Sequence, residues 1–246
     1  MGEFELKDKV VLITGSSSGI GEAIARFASA AGAKVVVNSS SSVADGEAVA
    51  NSLADAIYVQ GDITSEADVK RLVDETVRHF GRLDVLINNA GRTKVIAHHD
   101  LESASTSVFR EIFEVNVFGT WEMTMAAMEE LKASRGAIVN VTSIAGIRPT
   151  GSSIPYAASK AALNHLTVLL AKVAGPDVTV NAVAPGLVDT PWTESWVDLK
   201  NAVSHIAPMR RTATPDDVAK AVLDVATSRY ITGQVIVVDG GLTIAT

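Results

Sequence analysis

Short runs of β-branched residues alternate with longer helical segments along most of the chain. The run KVVLIT at residues 9–14 is continuously apolar, as expected of a strand that is buried on both faces of a sheet. The segment that follows, residues 19–32, places Ile20, Ile24 and Phe27 at helical spacing. Repetition of this unit predicts an α/β fold, with one parallel sheet connected by right-handed crossovers and covered by helices on both faces.

The same patterns divide the whole chain into strands and helices. The predicted strands span residues 9–14, 34–38, 56–62, 83–91, 136–143, 177–186 and 233–241. The predicted helices span residues 19–32, 43–55, 65–81, 105–133, 156–175, 193–206 and 214–228. No Pro- or Ser-rich linker separates these elements, so residues 1–246 are predicted to form a single domain.

Composition excludes several classes of function. The formal net charge is −7 and no strongly basic run occurs, which argues against a nucleic-acid partner held through its phosphates. Cysteine is absent, which excludes disulfides, Cys-ligated zinc and thiolate catalysis. His98 and His99 are adjacent but have no other ligand types beside them, so no metal site is predicted.

The N-terminal residues do not resemble a targeting segment. Glu3, Glu5 and Asp8 precede the first strand, whereas a signal peptide has a basic start and then an apolar stretch. No apolar run approaches the roughly 20 residues that span a bilayer. The sequence therefore predicts a soluble, cytoplasmic protein with no membrane partner.

A glycine-rich turn, TGSSSGIG, joins the first strand to the first helix. Gly15, Gly19 and Gly21 permit a sharp turn and a close approach of the backbone to a pyrophosphate, beside the positive end of a helix. The spacing matches neither the G-x-G-x-x-G pattern nor a Walker loop. The turn therefore indicates either a dinucleotide site or a tight strand–helix connection.

Polar residues without a carboxylate follow the second strand, where dinucleotide sites often carry an acidic residue for the ribose. Asn38 is followed by Ser39 and by three further serines. These side chains can donate hydrogen bonds to a 2′-phosphate and do not repel it, which favours NADP(H) over NAD(H). No Arg or Lys stands there for a charge-assisted contact, and the alternative is an ordinary polar loop.

Tyr156 and Lys160 are four residues apart and therefore neighbours on one face of a predicted helix. A free phenol has a pKa of about 10, which a nearby ammonium and a helix N-terminus lower toward the range of a general acid or base. Ser143 ends the fifth strand at the same edge of the sheet, and Asn116 lies between apolar residues of a predicted helix. A solvated Tyr–Lys pair and a structural Asn are the alternatives.

Taken together, these motifs resemble the short-chain dehydrogenase/reductase family over nearly the whole chain. TGSSSGIG resembles the family's cofactor turn, and NNAG at 88–91 its fourth-strand motif. Ser143, Tyr156 and Lys160 match its Ser…YxxxK catalytic set, and Asn116 matches the fourth catalytic member. PGLVDT at 185–190 and DGG at 239–241 are similar to its later motifs.

The resemblance implies a Rossmann-type doubly wound domain with strand order 3-2-1-4-5-6-7. It also implies NAD(P)(H)-dependent interconversion of a ketone and a secondary alcohol, with a small-molecule substrate and a homotetrameric assembly. Tyr156 would be the general acid or base, Lys160 would hold the nicotinamide ribose and lower the Tyr156 pKa, Ser143 would orient the carbonyl, and Asn116 would hold a water. The alternatives are a 3-oxoacyl-thioester reductase and a non-catalytic dinucleotide-binding scaffold.

The resemblance also implies a set of cofactor-binding residues. These are Gly15, Ser17, Ser18, Gly19, Ile20, Gly21, Asn38, Ser39, Ser40, Asp62, Ile63, Asn89, Ala90, Gly91, Tyr156, Lys160, Pro185, Gly186, Val188 and Thr190. Ser18 and Ser39 stand where many NADP-using members carry a basic residue, which is a departure from the pattern.

Substrate residues are expected in three loops, at 92–100, 144–155 and 187–200. In the last of these, Trp192 and Trp196 are predicted on one helix at i, i+4. They are interpreted either as a lid over an apolar substrate or as packing residues.

Overall fold

A computed structural model describes residues 5–245, in which seven parallel strands form one sheet. Their order is β3-β2-β1-β4-β5-β6-β7, which confirms the predicted doubly wound topology. The strands are β1 Val10–Ile13, β2 Lys34–Ser39, β3 Ala56–Gln60, β4 Val85–Asn88, β5 Ala137–Val141, β6 Thr179–Pro185 and β7 Val235–Val238.

Helices cover both faces of this sheet. Within residues 5–245 they are α1 Gly19–Ala30, α2 Val43–Asn51, α3 Glu66–Phe80, α4 Thr106–Phe113, α5 Thr120–Ser134, α6 Ile154–Ala174, α7 Val197–Ile206, α8 Pro215–Thr227 and α9 Leu242–Ala245. The core on one face includes α1, α2 and α8, and the core on the other includes α3, α5 and α6. None of the described helices has the length and apolar character needed to cross a membrane.

Alternation along β1 explains why its sequence is apolar throughout. Val11 and Ile13 belong to the core on the α1 side, whereas Val10 and Leu12 belong to the core on the α3 side. Successive strand residues point to opposite faces, so a strand covered on both faces needs an apolar residue at every position.

Local capping signals locate the helix ends. The Ser65 hydroxyl accepts a hydrogen bond from the Asp68 backbone N–H at the start of α3, and Gly81 ends that helix with φ of +79°. Thr214 and Asp217 form the capping box of α8. In α2, a Cβ at Gly46 would overlap the Tyr58 ring, so close packing accounts for this helix-weakening residue.

The predicted helical region over about 105–133 is helical from Thr106 to Ser134, but its hydrogen-bonding pattern changes within it. A π-helical turn at Glu114–Gly119 separates α4 from α5. At its end, a Cβ on Gly119 would lie 2.8 Å from Cγ1 of Ile63, so the turn packs directly against the segment that follows β3. Turns of this kind are frequent at functional sites, and this one contains Asn116.

A buried carboxylate joins β1 to β4 at the amino edge of the sheet. Asp84 is fully buried and its Oδ2 accepts a hydrogen bond from the Val10 N–H at 3.0 Å. The Arg82 guanidinium donates to both carboxylate oxygens, at 2.6 and 2.8 Å, and Lys9 Nζ lies 3.3 Å from Oδ1. The carboxylate therefore satisfies a buried backbone donor and two cations at once.

We expect Asp84→Ala to lower the free energy of unfolding by about 1–3 kcal/mol, because it leaves the buried Val10 N–H without an acceptor. Urea denaturation followed by circular dichroism measures the change. Glu75→Gln, which removes the exposed ion pair with Arg78, is the control and should cost less than about 1 kcal/mol. Equal effects of the two substitutions would contradict the structural role of Asp84.

Candidate active site

One large cleft opens at the carboxyl edge of the sheet, where the strand order reverses between β1 and β4. It has a volume of about 990 Å³ and is lined by residues that follow β1, β2, β3, β4, β5 and β6. This is the position at which doubly wound sheets bind their ligands, and the volume is that of a cofactor-sized site.

The glycine turn forms one wall of the cleft. Gly15 and Gly19 have φ of +62° and +57°, and a Cβ on Gly15 would lie 2.9 Å from Cα of Ala90. Gly21 does not line the cleft; a Cβ there would overlap the Gly15 carbonyl oxygen. Two of the predicted glycines therefore shape the turn in the left-handed region, and the third allows α1 to pack against it.

Thr14, which the sequence analysis did not select, locks this turn to the end of β4. Its Oγ1 accepts hydrogen bonds from the backbone N–H groups of Asn89 and Ala90, both at 3.0 Å. The Asn89 side chain donates in return to the carbonyl oxygens of Thr14 and Gly15, at 2.9 and 2.8 Å. The sequence signal that could have identified this residue is the position of the threonine, immediately before the first glycine of the turn.

The end of β2 differs from its prediction. Asn38 is 1% exposed: its Oδ1 accepts from the Gly15 N–H, and its Nδ2 donates to the carbonyls of Val59 and Gly61. Ser39 Oγ bonds within the protein, to Ser42 and Tyr58. The expectation that the Asn38 amide donates to a 2′-phosphate is therefore wrong, because the fold already uses both of its Nδ2 hydrogens.

The residues present fit a dinucleotide. Ser18 makes no side-chain cap bond to α1, so its hydroxyl does not compete with a phosphate for the N–H groups of the first turn. Gly91 lies close to the Lys160 amine: a Cβ there would be 3.7 Å from Nζ, an ordinary van der Waals contact. Every predicted cofactor residue except Gly21 lines the cleft.

Tyr156 and Lys160 project from the first two turns of α6 into this cleft. Ser153 caps the helix by accepting a hydrogen bond from the Tyr156 N–H, and Pro155 occupies the first turn. Lys160 is 4% exposed, and its Nζ donates to the Val141 carbonyl at 2.9 Å and lies 5.8 Å from the centre of the Tyr156 ring. Ser143 follows β5 and lines the cleft beside them.

Burial sets the protonation of both groups. It raises the pKa of the Tyr156 phenol to about 12, although a hydrogen bond to Ser143 acts in the opposite direction. It lowers the pKa of the Lys160 ammonium to about 8. The expected lowering of the Tyr156 pKa is therefore wrong for the protein described here, because desolvation outweighs the other contributions.

Asn116 lies behind the cleft and is fully buried. Its Oδ1 accepts from the Arg92 N–H at 2.7 Å, and its Nδ2 donates to the Arg92 carbonyl at 3.0 Å and to Ser159 Oγ at 2.9 Å. Ser159 Oγ donates in turn to the Tyr156 carbonyl. The Asn116 side chain thus connects the segment after β4 to α6, and both hydrogens of its amide group are used within the protein.

Trp192 and Trp196 do not share a helix, contrary to the prediction. Trp192 lies in a 3₁₀ turn at Pro191–Thr193, and Trp196 is the N-cap residue of α7. Both line the cleft, and the Trp192 ring meets the Tyr156 ring edge to face, with centres 6.4 Å apart. The aromatic wall therefore comes from two separate elements.

The outer part of the cleft is formed by the loops that the sequence analysis assigned to substrate. The loops after β4 and β5 are joined by contacts of Thr93 Oγ1 with Ser152 Oγ at 2.5 Å and of His98 Nε2 with the Gly151 carbonyl at 3.1 Å.

Within residues 5–245, no group of three or more His, Asp or Glu side chains is arranged to hold a metal ion.

Known proteins with related sequences and structures are numerous. A family model described as enoyl-(acyl carrier protein) reductase matches residues 15–243. A Streptomyces violaceoruber protein described as ketoacyl reductase 2 of the granaticin polyketide synthase is 54% identical over 94% of this chain and 95% of its own. The 3-oxoacyl-[acyl-carrier-protein] reductase FabG of Thermotoga maritima is 37% identical over 97% of this chain and 99% of its own.

Solved structures agree with these sequence relationships. A Burkholderia xenovorans protein described as a short-chain dehydrogenase/reductase superposes with a TM-score of 0.90 at 35% identity, covering 96% of this chain and 98% of the other.

Because Lys160 titrates near pH 8 when folded and near 10.5 when unfolded, the unfolded chain binds more protons between these values. The stability of the wild-type protein therefore includes a contribution that rises with pH across this window. We expect Lys160→Met to be more stable than wild type at pH 7, by on the order of 1–3 kcal/mol, and to lose this advantage by pH 10.

Denaturant titrations of both proteins at pH 7, 8, 9 and 10 test this expectation. Lys172→Met, an exposed site on the same helix, controls for the loss of one positive charge. An advantage of Lys160→Met that stays constant from pH 7 to 10 would show that the buried ammonium is not its source.

Proposed function

The chain belongs to the short-chain dehydrogenase/reductase family, and on that premise we propose that it reduces a ketone to a secondary alcohol with NAD(P)H. The observation that carries the proposal is the adjacency of Tyr156, Lys160 and Ser143 in a cleft that fits a dinucleotide. A half-buried phenol with a raised pKa and a buried amine beside a strand-end serine are costly to assemble without a catalytic use.

Each of these side chains has a role that follows from its surroundings. The Tyr156 hydroxyl donates its proton to the carbonyl oxygen of the substrate, since a phenol is protonated at neutral pH both at its ordinary pKa of about 10 and at the raised pKa of this site. Ser143, which shares a hydrogen bond with Tyr156, orients the same oxygen. Lys160 is held near the Tyr156 ring by the Val141 carbonyl and supplies positive charge. When the cofactor is bound, its reduced nicotinamide supplies the hydride.

Cofactor contacts are assigned to the walls of the same cleft. The glycine turn at 15–20 and the start of α1 would hold the pyrophosphate. Asp62 and Ile63 would contact the adenine, the 89–91 segment would line the middle of the site, and the 185–190 segment would meet the nicotinamide amide. Lys160 would hold the nicotinamide ribose.

Asn116 affects the site through the backbone of Arg92, which it holds by two hydrogen bonds. The resemblance implies that it holds a water, but both hydrogens of its side-chain amide are used within the protein and its Oδ1 accepts from Arg92. We assign it as a positioning residue that sets the segment after β4 against α6.

NADP(H) is proposed as the preferred cofactor. With Asn38 and Ser39 bonded inside the protein, the exposed hydroxyls of Ser40, Ser41 and Ser42 are the donors that remain at the end of β2. No carboxylate follows the strand to repel a 2′-phosphate. Hydroxyl contacts without a cationic side chain provide only a small preference for NADP(H) over NAD(H).

A second candidate substrate is a 3-oxoacyl thioester. Two of the relatives, at 54% and 37% identity, are described as a polyketide ketoacyl reductase and a 3-oxoacyl-carrier reductase. The reacting group is again a ketone, so the catalytic roles above are unchanged. The candidates differ only in what the substrate carries beyond that ketone.

A homotetramer is proposed on the basis of exposed apolar residues of two long helices. On and next to α5, Phe118, Trp121 and Met125 are 53, 38 and 48% exposed, and on α6 Leu169 and Val173 are 51 and 73% exposed. Within each helix these residues are three or four positions apart and so share a face, and an exposed apolar helix face is typical of contact between subunits.

Tyr156→Phe should reduce kcat/KM for ketone reduction by about 10²–10⁴-fold, because the proton donor is lost while the ring is kept. The dissociation constant of NADPH, measured by fluorescence, should change little. Tyr230→Phe, at a fully exposed position, is the matched control and should retain wild-type activity. Wild-type turnover by Tyr156→Phe would refute the assigned mechanism.

A panel of ketones and 3-oxoacyl thioesters, each assayed with NADPH and NADH by nicotinamide absorbance, tests the remaining assignments. We expect a preference for NADPH below about tenfold, since neutral hydrogen bonds contribute about 1 kcal/mol. Ser40→Arg should increase that preference. A preference for NADH by the wild type would reverse the cofactor assignment, and thioesters that outperform simple ketones would favour the second candidate.

A further inference from the structure

The loops that follow β4 and β5 are tied to each other by three hydrogen bonds at the outer part of the cleft. The Ile96 N–H donates to the Ser152 carbonyl at 2.8 Å, and the hydroxyl oxygens of Thr93 and Ser152 are 2.5 Å apart. One residue earlier in the second loop, the Gly151 carbonyl lies 3.1 Å from Nε2 of His98. The His98 side chain therefore extends the connection between the loops to Gly151.

His98 holds Gly151 through one atom of its ring. Because a carbonyl oxygen can only accept a hydrogen bond, Nε2 of His98 carries the proton, and it does so in both the neutral imidazole and the imidazolium. Within residues 5–245, the Gly151 carbonyl has no other hydrogen-bond partner in the protein. Removing the imidazole would therefore release Gly151 from the loop after β4.

Gly151 lies against the ring of Tyr156. A Cβ on Gly151 would be 3.6 Å from Cδ1 of that ring, an ordinary contact distance, but 2.7 Å from Cβ of Ala145, which is an overlap. Its φ of +116° is in the region where a residue with a side chain is strained. The glycine thus fits a narrow space beside Ala145 and Tyr156, and its place there depends on the contacts that hold its loop.

The same loop leads directly into the helix that carries the phenol. Ser153 is fully buried and caps α6 by accepting a hydrogen bond from the Tyr156 N–H, and Ser152 alone separates this cap from Gly151. Movement of the loop therefore reaches Tyr156 both through the cap and through the ring contact. A proton donor must meet the substrate oxygen at hydrogen-bond distance, so a small displacement of the phenol lowers the rate.

We propose that His98 is a positioning residue, which holds Gly151 against the Tyr156 ring and thereby orients the phenol toward the substrate carbonyl. The inference rests on the proposed proton donation by Tyr156 and adds a residue of the loop after β4 to that function. His98 acts through Gly151 and needs no contact with the reacting atoms.

Paired substitutions at the two adjacent histidines test this role. His98→Leu removes the donor to Gly151, whereas His98→Gln keeps an N–H donor at the end of the side chain. His99→Leu and His99→Gln are the matched controls, because His99 is also exposed but does not line the cleft. For wild type and these variants, kcat and KM for ketone reduction are measured at saturating NADPH.

A second readout does not need turnover. The chain contains three tyrosines, so labelling with 3-fluorotyrosine gives three fluorine NMR resonances, which single Tyr→Phe substitutions assign. The Tyr156 resonance reports the surroundings of the phenol, and the resonances of Tyr58 and Tyr230 are internal references. Spectra are recorded for wild type and for each histidine variant.

His98→Leu should lower kcat about tenfold and leave KM within about twofold of wild type, because the phenol is displaced while the substrate contacts are kept. It should also shift or broaden the Tyr156 resonance without changing those of Tyr58 and Tyr230. His98→Gln should recover most of kcat and the wild-type Tyr156 resonance, and both His99 variants should behave like wild type.

An unchanged kcat or an unchanged Tyr156 resonance in His98→Leu would overturn the inference. A rise in KM alone would also overturn it, because that result indicates direct contact between His98 and the substrate. Equal effects of His98→Leu and His98→Gln would show that the hydrogen bond to Gly151 is not the cause. If the wild type reduces no ketone but the Tyr156 resonance responds selectively to His98→Leu, the proposed function is refuted and the positioning role is kept.

Discussion

Hydrogen bonds between Thr14 and the segment after β4 are the interaction on which the cleft depends. In the strand order, β1 ends one half of the sheet and β4 begins the other, and main-chain hydrogen bonding between them ends where the Thr14 N–H donates to the Ile87 carbonyl, at 3.0 Å. Beyond that point, the Thr14 hydroxyl and the Asn89 amide continue the connection. Gly15 can then pass within van der Waals distance of Ala90, and the turn that leads into α1 is held in place.

A second set of buried polar contacts positions α6, the helix that carries Tyr156 and Lys160. The Asn88 amide donates to Thr124 of α5 and to Asn140 of β5, and the Asn140 amide donates to Thr167 of α6. These paired amide donors favour one packing arrangement, because a shift would leave buried donors without acceptors. α6 is thereby positioned from its middle, at Thr167, about two helical turns after Lys160.

The reactive pair itself is assembled at a cost to stability. Lys160 is an amine buried against one backbone carbonyl, and the phenol of Tyr156 has a raised pKa for the same reason. Such desolvation opposes folding, and it is tolerated where a protein uses the perturbed groups.

Much of the fold could be predicted from the chain because its signals are local. Strand periodicity, the Ser65 and Thr214 caps and the left-handed Gly81 each depend on residues within a few positions of one another. The π-helical turn around Asn116 could not be predicted, since the apolar spacing on either side continues without a break. The separation of Trp192 from Trp196 was also missed, although Pro191 opens a turn of its own there.

The sequence alone determined the alternation of strands and helices, the edge of the sheet that carries the chemistry and the residue types that meet there, and its resemblance to a known family supplied the strand order. Only the tertiary structure decided which of these polar groups face the cleft and which are used within the protein. Asn38 and Asn116 bond to residues at least 21 positions away, and Lys160 bonds to a carbonyl 19 positions earlier. A buried polar group must find a partner, and distant segments become available as partners only when the chain has folded.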